Sequence, residues 1–153
     1  MSSNKKLVGR EFFWPVRVYY EDTDSGGVVY YANYLKFAER ARTELLRSEG
    51  IENSELMQRE RAAFAVRECH ADYIQPAKLD DALEVHTRVT EIAGASLWMA
   101  QNVMCGDTLL VAMTVRLACM DVDTGGPKRL PKIVSKCLGR LKVDAKDIEL
   151  RGV

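Results

Sequence analysis

The sequence predicts an α+β domain: a curved antiparallel sheet wrapped around one central helix, with a further helix near the C-terminal end. Three observations carry this. A period-2 segment lies near the start, one long run of helical periodicity follows it, and four strand-like segments with short turns come after. With 153 residues, 47% of them hydrophobic, the chain is long enough for one well-buried core and too short for two ordinary domains. A single domain over residues 1–153 is therefore expected.

The first strand is expected over Phe13 to Tyr20, where Val16, Val18 and Tyr20 alternate with Arg17 and Tyr19. Pro15 suits its beginning or a sheet edge. Residues 21–27, EDTDSGG, break the periodicity and mark a loop pinned by the apolar residues on both sides. Asn33 is a good N-cap for a helix that puts Tyr34, Ala38, Ala41 and Leu45 on one face and stops near Gly50. On its polar side Arg40 and Glu44 stand one turn apart, in position to pair. A weaker, surface helix is expected over Ser54 to Glu60.

Strands follow near 63–74, 82–92, 96–105 and 108–121. The alternation is clearest where Leu83, Val85, Thr87 and Val89 face away from Glu84, His86 and Arg88. Turns at Ala93–Ala95 and Gly106–Asp107 are short enough for hairpins, so their strands should be antiparallel neighbours. The last strand has Leu109, Val111, Met113, Val115, Leu117 and Cys119 on one side, with Leu110, Ala112 and Thr114 on the other. Pro131 then suits the first turn of a helix with Ile133, Val134, Cys137, Leu138 and Leu141 as its apolar stripe.

Lys+Arg and Asp+Glu both number 22, so no broad attraction to nucleic acid or an anionic membrane is expected. The start lacks the apolar core of a secretion signal, and no stretch has the length of a membrane span. A cytoplasmic location without a transmembrane segment is expected. The four cysteines, Cys69, Cys105, Cys119 and Cys137, are far apart in apolar patterns without metal-ligand spacing, so they read as buried thiols, with no metal and no redox cofactor.

The chemistry concentrates in DTDSGGVVYYANY, residues 22–34. Two carboxylates stand in a glycine loop directly before a helix start, whose free N–H groups and dipole suit a developing oxyanion. A carboxylate beside such donors attacks an activated carbonyl or deprotonates water. The same residues also suit a purely structural Asx turn with caps, and the pattern does not choose between Asp22 and Asp24.

The stretch from Trp14 to Ile51, WPVRVYYEDTDSGGVVYYANYLKFAERARTELLRSEGI, resembles the hotdog-fold acyl-CoA thioesterases of the 4-hydroxybenzoyl-CoA thioesterase group, in particular the YbgC type associated with the Tol-Pal system. The likeness continues more weakly to Arg129–Pro131. It implies a hotdog fold and hydrolysis of an acyl-CoA to free acid and coenzyme A, with coenzyme A entering as part of the substrate. Homodimers that join their sheets, or homotetramers, with active sites at the subunit interface are implied too. The family's catalytic aspartate maps onto Asp24, as nucleophile or general base, and a backbone N–H near Tyr31 is implied to polarise the carbonyl.

Gly27, Val28 and Tyr31 are the expected substrate-binding residues around it. Tol-Pal-associated members usually carry His where this chain has Tyr31, which removes a titratable imidazole from the site. Tyr30, Asn33 and Tyr34 are further pocket candidates whose alternative is packing. Glu39 is an acid–base candidate whose alternative is an ion pair with Arg42 or another arginine.

His86 reads as solvated and His70 as an inward, hydrogen-bonded group. Coenzyme A phosphates need cations, and Lys128 and Arg129, with Lys132, form one basic group; Arg59, Arg61 and Arg67 form another. Ordinary surface charge is the alternative for each. Two other functions remain open: hydrolysis of acyl-carrier-protein thioesters, and a non-catalytic acyl-binding or scaffold role linked to envelope machinery.

Overall fold

The computed structural model describes residues 6–144. Six antiparallel strands form one sheet: β1 (Leu7–Val8), β2 (Glu11–Arg17), β3 (Ala62–Tyr73), β4 (Ala82–Ala93), β5 (Ser96–Cys105) and β6 (Thr108–Asp121), in the order β1-β2-β4-β5-β6-β3. The long helix α1 (Asn33–Ser48) lies in the sheet's hollow. The short α2 (Asn53–Glu55) runs into a wider π-type turn over Leu56–Glu60, and α3 (Lys132–Gly139) closes one end.

The two predicted hairpins form as β4–β5 and β5–β6. Gly94 takes a φ of 58°, a left-handed conformation that suits the tight β4–β5 turn. The chain crosses to the far edge of the sheet at β3, which pairs with β6 and not with its sequence neighbour β4. Register shifts between Val66 and Glu68, Val89 and Glu91, and Val103 and Met104 insert extra residues that bend the ladder. Curvature is what lets one sheet wrap one helix.

Tyr34, Ala38, Ala41 and Leu45 are buried on α1 as the periodicity predicts, joined by Phe37 and Leu46. Several expectations are corrected. The first strand ends at Arg17, and Tyr20 is 82% exposed. The cause is local: the Asp22 carboxylate accepts the Tyr19 N–H at 2.8 Å and turns Tyr20–Asp22 into a short 3₁₀ turn. Pro15 stands within β2, past the residues that pair with β1, on a stretch with β4 as its neighbour.

Asn33 is the first helical residue and not the cap. Its side-chain amide instead donates to the Asp22 carbonyl at 2.8 Å, tying the helix start to the acidic loop. Glu44 pairs with Arg47 and not with Arg40. Leu110 is buried, in keeping with a last strand covered in part on both sides, and is the extra residue where Val103 and Met104 pair with Val111 and Leu109. Pro131 caps α3 rather than sitting inside it, and Ile133 leaves the apolar stripe for solvent, 47% exposed, while Val134 and Leu138 are buried. Cys69 is exposed, because it lies on the edge strand β3.

No helix among the described residues is long and apolar enough to cross a membrane. Among them no group of three or more His, Cys, Asp or Glu side chains is arranged to hold a metal ion.

Candidate active site

The loop before α1 is a small closed hairpin. Thr23 bridges Val29, Asp24 N–H donates to the Val28 carbonyl at 2.8 Å, and Tyr30 N–H donates to the Asp22 carbonyl at 2.9 Å. Below it, Val29 N–H bonds the Ala77 carbonyl and Leu79 N–H bonds that of Gly27, fixing the loop to the segment leading into β4. Gly27 makes the reversal possible with a φ of 79°. At Gly26 the constraint is space: a Cβ there would lie 3.2 Å from Asp24 Oδ1.

The two aspartates, equivalent in the sequence, differ in this setting. Asp22 is a joint, its carboxylate held by Tyr19 N–H and its carbonyl accepting from Tyr30 and Asn33. Asp24 is exposed, and its Oδ1 accepts the N–H groups of Gly26 at 2.8 Å and Val28 at 3.4 Å. This is the Asx turn that the composition suggested. It occupies one oxygen: Oδ2 of Asp24 has no hydrogen-bond partner among the described residues. The anchored oxygen orients the side chain and leaves the other available for chemistry.

Beyond the loop, Asn33 N–H donates to the Tyr30 carbonyl and Leu35 N–H to that of Ala32. The backbone N–H groups of Tyr31 and Ala32 bond nothing among the described residues. They stand at the N-terminus of a 16-residue helix, where free donors and the helix dipole favour negative charge. Tyr31 is 59% exposed and meets Tyr73 of β3 edge-on, with ring centroids 6.0 Å apart. Tyr31, Tyr34 and Tyr73 line a cavity of about 240 Å³ with Ile74 and Pro76.

Tyr34 is mainly structural: its buried hydroxyl accepts the Ala77 N–H at 2.9 Å, and burial raises its pKa above the ordinary value. Tyr30 is half-exposed and stacks obliquely on Tyr31. Val28 is partly buried and bridges Lys78.

Lys128 and Arg129 are not beside Asp24. Lys128 N–H bonds the Cys119 carbonyl and Leu130 N–H that of Gly94, at the end of β4 where Ala93 lies. The Asp24 loop adjoins the other end, before Ala82. Twelve residues of strand separate these ends, about 36 Å at the usual rise. Neither Lys128, Arg129 nor Lys132 forms an ion pair among the described residues, whereas Arg61 is bonded to Asp123 and Arg59 pairs with Glu55.

The histidines stay outside this site. His70 is exposed on β3 and not inward, because the register shift after Val66 changes which β3 residues face the helix. His86 stacks on Phe13 at 4.1 Å and bonds Glu84 at 2.8 Å, half-covered and not simply solvated. Glu39 is exposed and forms no ion pair with Arg42.

Sequence reasoning missed the second feature of α1. Arg42 is 9% exposed and donates through one guanidinium nitrogen to Gln101 Oε1 at 2.9 Å; Gln101 donates in turn to the Ala38 carbonyl and to Thr87 Oγ1, both at 3.0 Å. Burial pushes the Arg42 pKa below the ordinary value. The available signal was an arginine four residues after Ala38, on the apolar stripe. Arg42 lines a cavity of about 430 Å³ between α1 and the β3–β6 edge, with Leu35, Phe64, Val66 and Val115.

Residues 18–138 match the model of the thioesterase-like superfamily, so the helix-in-sheet architecture and the acidic loop belong to a known kind of protein. The chain belongs to that superfamily, and its fold is the hotdog fold. It is 46% identical to the acyl-CoA thioesterase YbgC of Haemophilus influenzae over 136 residues, 89% of this chain and 100% of that one. With the acyl-CoA thioester hydrolase YbgC of Escherichia coli O6:H1 it shares 48% identity over 124 residues, 80% of this chain and 92% of that one.

Among solved structures, a probable thioesterase from Bartonella henselae matches with a TM-score of 0.76 and 37% identity, covering 79% of this chain and 99% of that one. A 1,4-dihydroxy-2-naphthoyl-CoA thioesterase from Synechocystis shares the fold at a TM-score of 0.78 and 21% identity, over 84% and 96% of the two chains.

Proposed function

We infer that the protein hydrolyses acyl-CoA thioesters to a free acid and coenzyme A, with Asp24 as its catalytic carboxylate. The observation that carries this is the division of labour in Asp24: Oδ1 is held by Gly26 and Val28, and Oδ2 has no bond among the described residues. The thioester carbonyl oxygen is placed at the free N–H groups of Tyr31 and Ala32, where negative charge develops as the carbonyl carbon becomes tetrahedral. Attack by Oδ2 on that carbon gives an acyl-enzyme anhydride and releases the thiolate, and water then frees the acid. Used instead as a base, the same oxygen takes a proton from the attacking water. Gly27 and Val28 frame the approach, and Tyr31 lines the cavity beside it.

The acting unit in this reading is a homodimer. Strand β3 is a sheet edge of 12 residues with β6 as its one neighbour among the described residues, and an unpaired edge is a template for another strand. Antiparallel pairing of β3 with the β3 of a second copy sets the Tyr73 end of one beside the Ala62 end of the other. The Lys128–Arg129 end of one protomer thereby approaches the Asp24 end of its partner, where a site at the interface offers those cations to the phosphates of coenzyme A.

The test is thiol release from short, long and aromatic acyl-CoAs by the wild type and by Asp24→Asn. The substitution is expected to lower kcat by roughly 10²-fold or more while the fold survives. Near-wild-type turnover in the variant overturns the assignment.

A further inference from the structure

We propose that Asn33 is a positioning residue for the hydrolysis, its side-chain amide setting the gap between the Asp24 carboxylate and the free N–H groups of Tyr31 and Ala32. The proposal rests on the reading above, which assigns the attack to Asp24 and the carbonyl oxygen to those donors.

The two halves of that site arrive on separate pieces of chain. Asp24 follows the outgoing arm of the loop hairpin, while Tyr31 and Ala32 follow its return arm and lead into α1. Hydrolysis needs both at one carbonyl group, the carboxylate at the carbon and the donors at the oxygen. Each piece folds by its own bonds, so their separation needs a bond of its own.

Asn33 bonds both arms. Its backbone N–H donates to the Tyr30 carbonyl of the return arm at 2.8 Å, a bond that any residue but proline can make. Its side-chain Nδ2 donates to the Asp22 carbonyl of the outgoing arm, also at 2.8 Å. Among the described residues this is the one hydrogen bond between α1 and residues 20–24. The same Asp22 carbonyl accepts the Tyr30 N–H at 2.9 Å, so both of its lone pairs are used and its direction is fixed. Asp24 lies two residues beyond the acceptor, and Ala32 and Tyr31 lie one and two residues before the donor. Few torsions remain between this bond and the reacting groups.

Helix capping does not account for an asparagine here. The cap position of α1 is Ala32, and no side chain bonds the helix's own first N–H groups there. Asn33 is the first helical residue, where asparagine is a weaker helix former than alanine. What the position does require is a short side chain that donates: an ionised aspartate only accepts, and alanine does neither.

The experiment measures kcat and KM by thiol release from the acyl-CoA that the wild type turns over fastest, with urea unfolding of each variant alongside. Asn33→Ala is expected to lower kcat on the order of tenfold or more, as a misplaced reacting group does, with KM within about threefold of wild type. Asn33→Asp suits the first turn of a helix but donates nothing. Its urea midpoint is therefore expected at or above that of Asn33→Ala, while kcat falls at least as far. A residue that served stability alone would give the reverse order in kcat. In the Asp24→Asn background, read with enzyme in excess of substrate, Asn33→Ala is expected to cost less than about threefold, because the carboxylate it positions is gone.

Unchanged kcat in Asn33→Ala overturns the proposal, and so does a rise in KM alone, or the same fold loss with and without the Asp24 carboxylate. Should Asn33→Ala not fold, Asn33→Asp decides in its place; should Asp24→Asn release no thiol, the single variants decide. Near-wild-type turnover in Asp24→Asn fails the catalytic reading itself, whereas an essential Asp24 beside an indifferent Asn33 fails only the positioning.

Discussion

The two flanks of α1 are built for different work. Toward β2, β4 and β5 the helix is closed: Phe37, Ala41 and Leu45 are each 1% exposed or less, packed with Phe12, Val85 and Val89. Toward the β3–β6 edge it is open, with Leu35 42% and Val66 53% exposed along the large cavity. One helix thus carries a stripe that holds the fold and a neighbouring stripe that has room for something else. Close packing marks the first as structural, while the second leaves apolar side chains such as Leu35 and Val66 uncovered in the single chain.

The largest effect expected on the closed flank is that of Leu45→Ala. Leu45 is fully covered, so the variant loses its transfer free energy and leaves a cavity, together about 2–5 kcal/mol of stability. Urea unfolding measures this, and a loss below about 1 kcal/mol would show that the closed flank repacks freely and that the contrast is weaker than the burial implies.

Tyr34 sits where the two flanks meet, its ring in the core and also facing the Tyr31–Tyr73 cavity. Tyr34→Phe keeps the ring and strands the Ala77 N–H, at a cost of about 1–3 kcal/mol. The variant also carries a pH signature. Burial first of all raises the Tyr34 pKa above 10.0, so the folded state keeps its proton where the unfolded chain begins to lose it. Stability from this group is complete below pH 10 and is lost as pH rises through the folded value. The wild type should therefore lose more stability than Tyr34→Phe between about pH 9 and 11. Parallel slopes would show that Tyr34 is not what the alkaline limb reports.

Much of the closed flank was legible in the sequence, and little of the open one. Tyr34, Ala38, Ala41 and Leu45 repeat at helical spacing, so their shared burial follows from periodicity. The β4–β5–β6 meander follows from short turns between alternating segments. The β3–β6 pairing has no such local signal, since three strands' worth of register intervenes and only tertiary packing selects it. The open flank depends on that pairing. This is why Arg42 reads in sequence as a partner for Glu39, and becomes a buried, singly bonded guanidinium only once Gln101 and the β3 edge are in place.

At the candidate site the loop and helix start were legible, but the choice between Asp22 and Asp24 came from resemblance. Backbone geometry alone separates a carboxylate tied to Tyr19 from one with a free oxygen. The distance between Asp24 and the Lys128–Arg129 group was equally invisible, being set by the length of β4.

The smallest expected effect on stability is the sharpest test of the comparison, because it changes only the flank. Leu35→Ala removes the same atoms from the same helix as Leu45→Ala, ten residues earlier and on the open side. Its side chain already meets solvent, so the fold of the single chain should shift by no more than about 0.5 kcal/mol. A Leu35→Ala variant that loses as much stability as Leu45→Ala would mean that the open flank is closed in the working protein, as the packing of a second copy along the β3 edge would close it. Sedimentation of the variant beside the wild type then reads that packing directly as a change in self-association.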